Sequence, residues 1–296
     1  MQRYKVVKRN QDSILRLGVF AWNCINMKIL FLALLILIGC SIKQEEKPEK
    51  KSYPSEEEVT KKYLNHHFHY FAPEWQLYLD SAILMNPTVA YFYQQKAMPL
   101  YKQRKYEAGL PYLNKAVELD SVRYIDYRGF MKCIFSKDYS GAIQDFTKAK
   151  KIKGEHGYVM DHSYDFHLGL SYLQLNDYPK AVTHLTNSID YTKKQSGESW
   201  VHYLDFFYLG IANYELKKYS EAITQFDKSL NIYKNFADAE YYKALSLARL
   251  DKKEEAMKIF KQAGIDFREG HTINEDNAYY EKYPYQLSDW FFPKEK

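Results

Sequence analysis

One short phrase recurs along this chain, and its period constrains the fold more than any other feature does. Each copy centres on a small residue that usually follows an aromatic residue. An apolar or aromatic residue comes four positions later and a second small residue three after that, as in KKYSEAITQFDKSL at 217–230. The central residues are separated by 33, 39, 41 and 34 residues and fall at Gly109, Ala142, Ala181, Ala222 and Ala256. Such a period is typical of stacked helical units.

Each copy predicts one helix of a pair. From Ala222, the spacing of four and seven residues places Phe226 and Ser229 on the same helical face. A second apolar run precedes each copy, and in LDFFYLGIANYELKKY it contains Leu209 and Gly210. Small residues allow two helices to approach closely, and a short polar turn makes them antiparallel. The sequence therefore predicts an all-α stack of helix-turn-helix hairpins.

The repeats strongly resemble the tetratricopeptide repeat (TPR) over about residues 88–265, in five copies. Segment 56–87 resembles a degenerate sixth copy, because Trp75 lies 34 residues before Gly109. Pro87 stands where the family places its repeat-ending proline, a residue that cannot continue a helix. The resemblance implies a right-handed superhelical solenoid over residues 56–265.

Two inserts and a tail depart from the regular repeat. The 39- and 41-residue steps carry KGEHGYVMDH and KKQSGESWVH, which we expect to be loops or helix extensions serving as spacers. Residues 266–296 lack the helical repeat and are dense in aromatic residues. We expect this tail to cap the last repeat, with Trp290, Phe291 and Phe292 packed on the final helices. A ligand site in the tail is the alternative.

The front of the chain predicts export. Lys28 precedes an unbroken apolar run from Ile29 to Ile38, which suits a signal peptide and is too short for a membrane span of about 20 residues. The sequence Leu37-Ile38-Gly39-Cys40 resembles the lipobox of bacterial lipoproteins, which implies cleavage before Cys40 and a lipid on its thiol. Residues 1–39 are then a leader, in which 1–26 are an over-called start or an unusually long extension. The alternative is an uncleaved anchor helix.

Residues 40–55 are charged and contain proline, and we expect them to form a flexible tether. Ser41 differs from the aspartate of an inner-membrane retention signal. Lys43-Gln44-Glu45-Glu46 is similar to the acidic signal that marks surface export in one group of Gram-negative bacteria. The expected location is the bacterial cell envelope, with a lipid anchor in the outer membrane and the chain on its periplasmic or surface face.

The charge distribution gives no argument for nucleic-acid binding. The whole chain carries a net charge of +5, with 42 basic and 37 acidic residues. Six of those bases and one acid lie in residues 1–39, which leaves 36 of each after the leader. Cys24 falls in the leader and Cys40 is the lipid site, so Cys133 has no partner for an internal disulfide and is expected to be a buried apolar residue.

No catalytic motif is found, and we predict neither an enzyme nor a bound cofactor. The sequence has no glycine-rich phosphate loop, nucleophile elbow or paired zinc cysteines. The nearest approach to a metal site is the cluster His66, His67 and His69, but no further ligand motif accompanies it, and we interpret it as part of a partly exposed helix. The histidines 156, 162 and 167 are interpreted in the same way.

The resemblance implies that the first helix of each hairpin lines a concave face. The equivalent inner positions are Gln94, Tyr127, Phe166, Phe207 and Tyr241, and the neighbouring candidates are Tyr101, Lys102, Gln174, Glu215 and Arg249. An aromatic ladder of this kind suits an extended peptide, a partner helix or stacked sugar rings. The alternative is that these aromatics pack between adjacent helices.

The leading functional prediction is a lipid-anchored, non-catalytic scaffold of the bacterial envelope that binds a protein or peptide partner, mainly through its concave face. A glycan or small-ligand binder for uptake is the first alternative, and it depends on Phe166 and Phe207. The second is a metal-dependent protein centred on the histidines at 66–69.

Overall fold

The structure, a computed structural model, describes residues 52–65 and 69–292. Within these ranges the first six helices are α1 Glu56–Tyr63, α2 Pro73–Met85, α3 Ala90–Lys102, α4 Tyr106–Leu119, α5 Ser121–Phe130 and α6 Tyr139–Lys153. The remaining six are α7 Tyr164–Gln174, α8 Tyr178–Ser196, α9 Tyr203–Glu215, α10 Tyr219–Ile232, α11 Ala237–Arg249 and α12 Lys253–Arg268. A π-helical turn, Met131–Phe135, extends α5.

Consecutive helices pack as hairpins, and the predicted fold class is confirmed. The five repeats are the pairs α3–α4, α5–α6, α7–α8, α9–α10 and α11–α12, with α1 and α2 before them. The described chain is therefore an all-α, TPR-like superhelical solenoid of helix-turn-helix repeats. Within the described residues, no helix combines the length and apolar character needed to cross a bilayer.

Small residues set the distance between the two helices of a hairpin, as the repeat predicts. Ala142, Ala181 and Ala222 are fully buried. A Cβ atom added to Gly210 would lie 2.6 Å from Cε1 of Phe226 on the partner helix, and a Cβ at Gly169 would lie 2.6 Å from Cγ of Leu185. Larger side chains at these positions would force the helices apart.

The five hairpin turns share one backbone conformation. In each turn one residue has φ between 57° and 62°, and these residues are Arg104, Lys137, Asn176, Lys217 and Asp251. This left-handed conformation stops the first helix, and the second helix begins two residues later. Asp138 and Asp177 follow two of these residues and cap the next helix by accepting the backbone N–H groups of Gly141 and Lys180.

The two inserts have different structures. The first contains a small antiparallel β-hairpin of β1 Tyr158–Val159 and β2 His162–Ser163, which the helical repeat does not predict. The second is a helix extension, since α8 continues to Ser196 and leads into a 3₁₀ turn at Glu198–Trp200. The leader, Cys40, the tether up to residue 51, and His66 and His67 lie outside the described residues.

Cys133, on the π-helical turn, is fully buried beside Ser171. Burial raises the pKa of its thiol to about 11, so the group is protonated at neutral pH. This placement agrees with the prediction that Cys133 acts as a small apolar residue.

Candidate functional site

After α12 the chain reverses and runs back over the first helices of the hairpins. Residues 272–287 are here named the tail loop. The loop begins beside the first turn of α11, reaches the turn between α3 and α4, and returns to α11. The two ends meet, because the side-chain Nε2 of Gln286 donates to the carbonyl oxygen of Ile273 at 3.3 Å. A compact loop whose ends meet in this way is an Ω-loop. The surface that it covers, which includes Arg104, Lys137, Tyr208 and Asp238, is named the inner groove.

Asp238, in the first turn of α11, holds both ends of the tail loop. Its Oδ2 accepts the hydroxyl of Thr272 at 2.7 Å, and its Oδ1 accepts the backbone N–H of Leu287 at 2.7 Å. Burial raises the pKa of Asp238 to about 6, although the hydrogen bonds from Leu287 and Thr272 oppose that rise. The two donors therefore favour the ionised carboxylate, against the effect of its burial.

The tip of the tail loop lies against the first hairpin turn. Nε and Nη2 of Arg104 donate to the carbonyl oxygen of Tyr280 at 3.3 and 3.0 Å. The same guanidinium pairs with the carboxylate of Glu281 at 3.1 Å, and the Tyr106 hydroxyl donates to that carboxylate too. Nζ of Lys102 lies 4.7 Å from the centre of the Tyr280 ring, a cation–π distance.

Side chains of the solenoid bind main-chain carbonyl groups in the second half of the tail loop. Nζ of Lys137 donates to the carbonyl oxygen of Lys282 at 2.6 Å, and the Tyr208 hydroxyl donates to that of Pro284 at 3.1 Å. Since these side chains bind carbonyl groups, the contacts depend little on the side chains of the bound segment.

Tyr285 reverses the direction of the chain. It has φ of 60°, in the left-handed region that a bulky residue adopts only at a cost. Its hydroxyl donates to Oε1 of Glu215 at 2.8 Å, and its ring lies 5.7 Å from that of Tyr242. The inner groove therefore stabilises a conformation that the tail loop would not favour alone.

The chain beyond the tail loop covers α11 and α12. Phe292 is nearly buried, with ring centroids 5.5 Å from Phe260 and 5.3 Å from Phe267. Phe291 lies edge-on to Tyr241 at 5.3 Å. Trp290 stacks on Phe291 but is 78% exposed, so it contributes less to the packing than its two neighbours.

The predicted concave-face residues divide into three groups. Lys102, Glu215 and Tyr241 contact the tail loop or the segment after it. Tyr127 and Gln174 are half-buried, and Arg249 is exposed. Tyr101, Phe166 and Phe207 are fully buried between helices and have no surface for a ligand, so the packing alternative describes these three.

Sequence reasoning missed four residues of the inner groove: Arg104, Lys137, Tyr208 and Asp238. Arg104 and Lys137 occupy the same left-handed turn position in successive repeats. A basic residue at the same turn position of both repeats is a pattern that the sequence alone shows and that could have identified these two residues. Asp238 and Tyr208 have no such signal, because only their contacts with a distant segment distinguish them.

One group of the described residues could hold a metal ion, and it consists of His162, His202 and Glu275. Burial and then the neighbouring His162 lower the pKa of His202 to about 4, against the charges of Glu275 and Asp161. Burial would raise the pKa of Glu275, but the hydrogen bond and charge of His162 outweigh it and lower that pKa. His69 instead accepts the backbone N–H of Phe71 through Nδ1 at 3.3 Å.

Comparisons with known proteins agree with this architecture. The tetratricopeptide repeat family matches residues 238–267, which belong to the hairpin α11–α12. PilW, described as a widely conserved type IV pilus biogenesis factor, is similar over 66% of this chain and 87% of its own, with 12% identity and a TM-score of 0.54. No curated protein matches this chain.

Two further solved structures share the fold. The C-terminal part of a TPR repeat-containing protein from Cytophaga hutchinsonii is similar over 68% of this chain and 75% of its own, with 18% identity and a TM-score of 0.51. MamA from Desulfovibrio magneticus RS-1 is similar over 61% of this chain and 96% of its own, with 16% identity and a TM-score of 0.51. The fold and the groove define a helical-repeat protein of the TPR-like class, and its last hairpin carries a tetratricopeptide repeat match.

Proposed function

We propose that this chain is a lipid-anchored, non-catalytic scaffold of the bacterial envelope that binds an extended segment of a partner protein in its inner groove. One observation carries the proposal: the groove holds a segment of its own chain by bonding that segment's main chain. Arg104, Lys137 and Tyr208 each donate to a backbone carbonyl of the tail loop. A partner segment presents the same carbonyl groups, so these donors fit it as well.

The chemistry of the tail loop indicates what kind of segment would compete with it. Arg104 and Lys102 bring positive charge to the tip, where Glu281 and the Tyr280 ring lie. A partner segment with an acidic residue beside an aromatic residue would make the same contacts. Such a segment would have to displace the tail loop, and its apparent affinity would be lowered by that cost.

The lipid anchor rests on the sequence. The apolar run that ends at Leu37-Ile38-Gly39-Cys40 supports lipidation of Cys40, and the charged stretch that follows supports a tether between the membrane and the solenoid. Metabolic labelling with a fatty-acid analogue, followed by membrane fractionation, tests this part. We expect label and membrane association in the wild-type chain and the loss of both in Cys40→Ser. Equal labelling of the two proteins would disprove the anchor.

Site-specific photo-crosslinking in cells tests the binding surface. A photoreactive residue replaces Lys102 in the inner groove, and the same residue replaces exposed Thr224 on α10 as the matched control. We expect the first position to capture a partner protein that the second does not. Asp238→Ala, which loosens the tail loop, should increase that capture.

Two results would count against the groove. Capture of the same proteins at both positions would show that the inner groove is not the contact surface. Crosslinking of position 102 only to the chain's own tail, even with Asp238→Ala, would show that the tail loop is a permanent part of the fold. The glycan alternative is not proposed, because Phe166 and Phe207 are fully buried.

A further inference from the structure

Three segments that are far apart in the sequence meet beside the inner groove. His162 belongs to the β-hairpin in the first insert, and His202 follows the helix extension of the second insert. Glu275 lies in the tail loop. Both repeats that exceed the regular length therefore contribute a histidine to one point, and the tail loop contributes a carboxylate there.

The three side chains have the spacing of metal ligands. Nε2 of His162 lies 3.2 Å from Oε2 of Glu275, and Nε2 of His202 lies 3.7 Å from Oε1 of the same carboxylate. All three ligand atoms lie within 4.8 Å of one another. Tetrahedral Zn²⁺ binds imidazole nitrogen and carboxylate oxygen at about 2.0–2.2 Å, which places ligand atoms about 3.3–3.5 Å apart. Side-chain shifts of about 1 Å would bring these atoms to that geometry.

The local backbone conformation orients the imidazole of His162 towards Glu275. Met160 and Asp161 form the two-residue turn of the β-hairpin, with φ of 49° and 66°, and the turn leads directly into His162. Two residues with positive φ make a tight hairpin of the type I′ kind, usually built from asparagine and glycine. The His162 ring then stacks on Phe166 with centroids 4.0 Å apart. The strained turn and the stacking fix the imidazole before any ligand binds.

His202 is fixed by its position at the start of α9. It is the N-cap residue, and its Nδ1 accepts the backbone N–H of Leu204 at 3.3 Å. Nε2 therefore points towards Glu275. Coordination through Nε2 would move the imidazole proton to Nδ1 and break this long capping bond, at a cost of about 1 kcal/mol or less.

We propose that His162, His202 and Glu275 bind one divalent transition-metal ion, of which zinc suits the ligand set best. Two imidazoles and one carboxylate leave a fourth position for water. That position would face the adjoining cavity of about 260 Å³, which Ser163, Ser188 and Asp205 line. The ion joins the two inserts to the tail loop and holds that loop in the inner groove. Metal binding itself does not depend on the proposed partner.

Isothermal titration of the full, chelator-treated chain with ZnCl₂ tests the site. We expect one equivalent of Zn²⁺ to bind to the wild-type chain. His202→Asn should weaken binding at least tenfold, since it removes the imidazole but keeps a good N-cap residue. Glu275→Gln should do the same while it keeps the size of the side chain. His271→Asn is the matched control, because His271 also lies near a glutamate, 3.6 Å from Glu269, but outside the cluster.

Amide hydrogen exchange supplies a second readout for the same proteins. Zn²⁺ should slow exchange in the tail loop of the wild-type chain and leave it unchanged in Glu275→Gln. The proposal is overturned if the wild-type chain binds no zinc, or if both variants bind it as tightly as the wild type does. Zinc binding without any effect on tail-loop exchange would overturn the claim that the ion holds the loop.

Discussion

The buried carboxylate of Asp238 accepts the backbone N–H of Leu287 at 2.7 Å, and this bond closes the base of the tail loop. The second oxygen of the same carboxylate binds the hydroxyl of Thr272. One side chain at the start of the last hairpin therefore determines where the tail loop leaves the solenoid and where it returns. The inner groove is filled because of this attachment.

Removal of the Asp238 carboxylate should release the tail loop. Asp238→Ala leaves the Leu287 N–H and the Thr272 hydroxyl without their acceptor, and we expect a loss of about 2–3 kcal/mol in the free energy of unfolding. Amide exchange of residues 274–286 should be at least tenfold faster. Asp227→Ala is the control, because Asp227 pairs with Lys243 in a half-exposed position where an ion pair contributes little. Equal exchange in the two variants would contradict the role of Asp238.

The stability of the chain should depend on pH through Glu240. Burial, then the hydrogen bond and charge of Asp266, raise the pKa of Glu240 to about 8, against the charge of Lys243. Between about pH 4.5 and 8 the folded chain keeps a proton that the unfolded chain releases, so the free energy of unfolding falls as pH rises.

Glu240→Gln removes this pH dependence, because glutamine can donate to Asp266 without ionising. We expect the melting temperature of the variant to match that of the wild type near pH 5 and to exceed it above pH 8. The corresponding difference in the free energy of unfolding above pH 8 is about 1–3 kcal/mol. Thermal unfolding at the two pH values measures the effect, with exposed Glu221→Gln as control. A constant difference between variant and wild type across this range would refute the assignment.

A better cap should stabilise α10. Lys218 occupies the N-cap position without a side-chain hydrogen bond, whereas Asp138 and Asp177 cap α6 and α8 at the equivalent position. Lys218→Asp should increase stability by about 1 kcal/mol. That corresponds to a rise of about 2–4 °C in melting temperature for a domain of this size. Lys218→Ala separates the new cap from the loss of the lysine, and equal melting temperatures for both variants would argue against capping.

A larger side chain at Ala222 should force α9 and α10 apart. Ala222 is fully buried, and we expect Ala222→Leu to destabilise the chain by about 1–3 kcal/mol through overpacking. Thr224→Leu adds a similar side chain at an exposed position of the same helix and should change stability by less than about 0.5 kcal/mol. An unchanged unfolding curve for Ala222→Leu would contradict the register of the repeat.

The sequence predicts the hairpins well because their packing is periodic. The small residues at Ala142, Ala181 and Ala222 lie between helices in the structure, as their spacing indicates. The same periodicity places Lys102 and Glu215 beside the groove. It does not separate the inner surface from the space between hairpins, which is why Phe166 and Phe207 were candidates for ligand contact and are instead fully buried.

The tail loop and the β-hairpin could not be predicted in this way. The tail loop is held in part by single contacts from Tyr208 and Asp238, and neither residue recurs with a period that a sequence pattern would reveal. The β-hairpin turns on Met160 and Asp161, neither of which is the glycine or asparagine that marks such turns. Both features depend on tertiary contacts that outweigh local preference.

A simple stack of repeats frays from its ends, because each unit touches only its neighbours. In this chain the Arg104 guanidinium bonds the Tyr280 carbonyl across a sequence separation of 176 residues. Opening one hairpin between these points would disturb the contacts of the tail loop with the others, so we expect the hairpins to unfold together. The same long-range contacts should slow folding, because the ends of so long a segment must meet before the last contacts form.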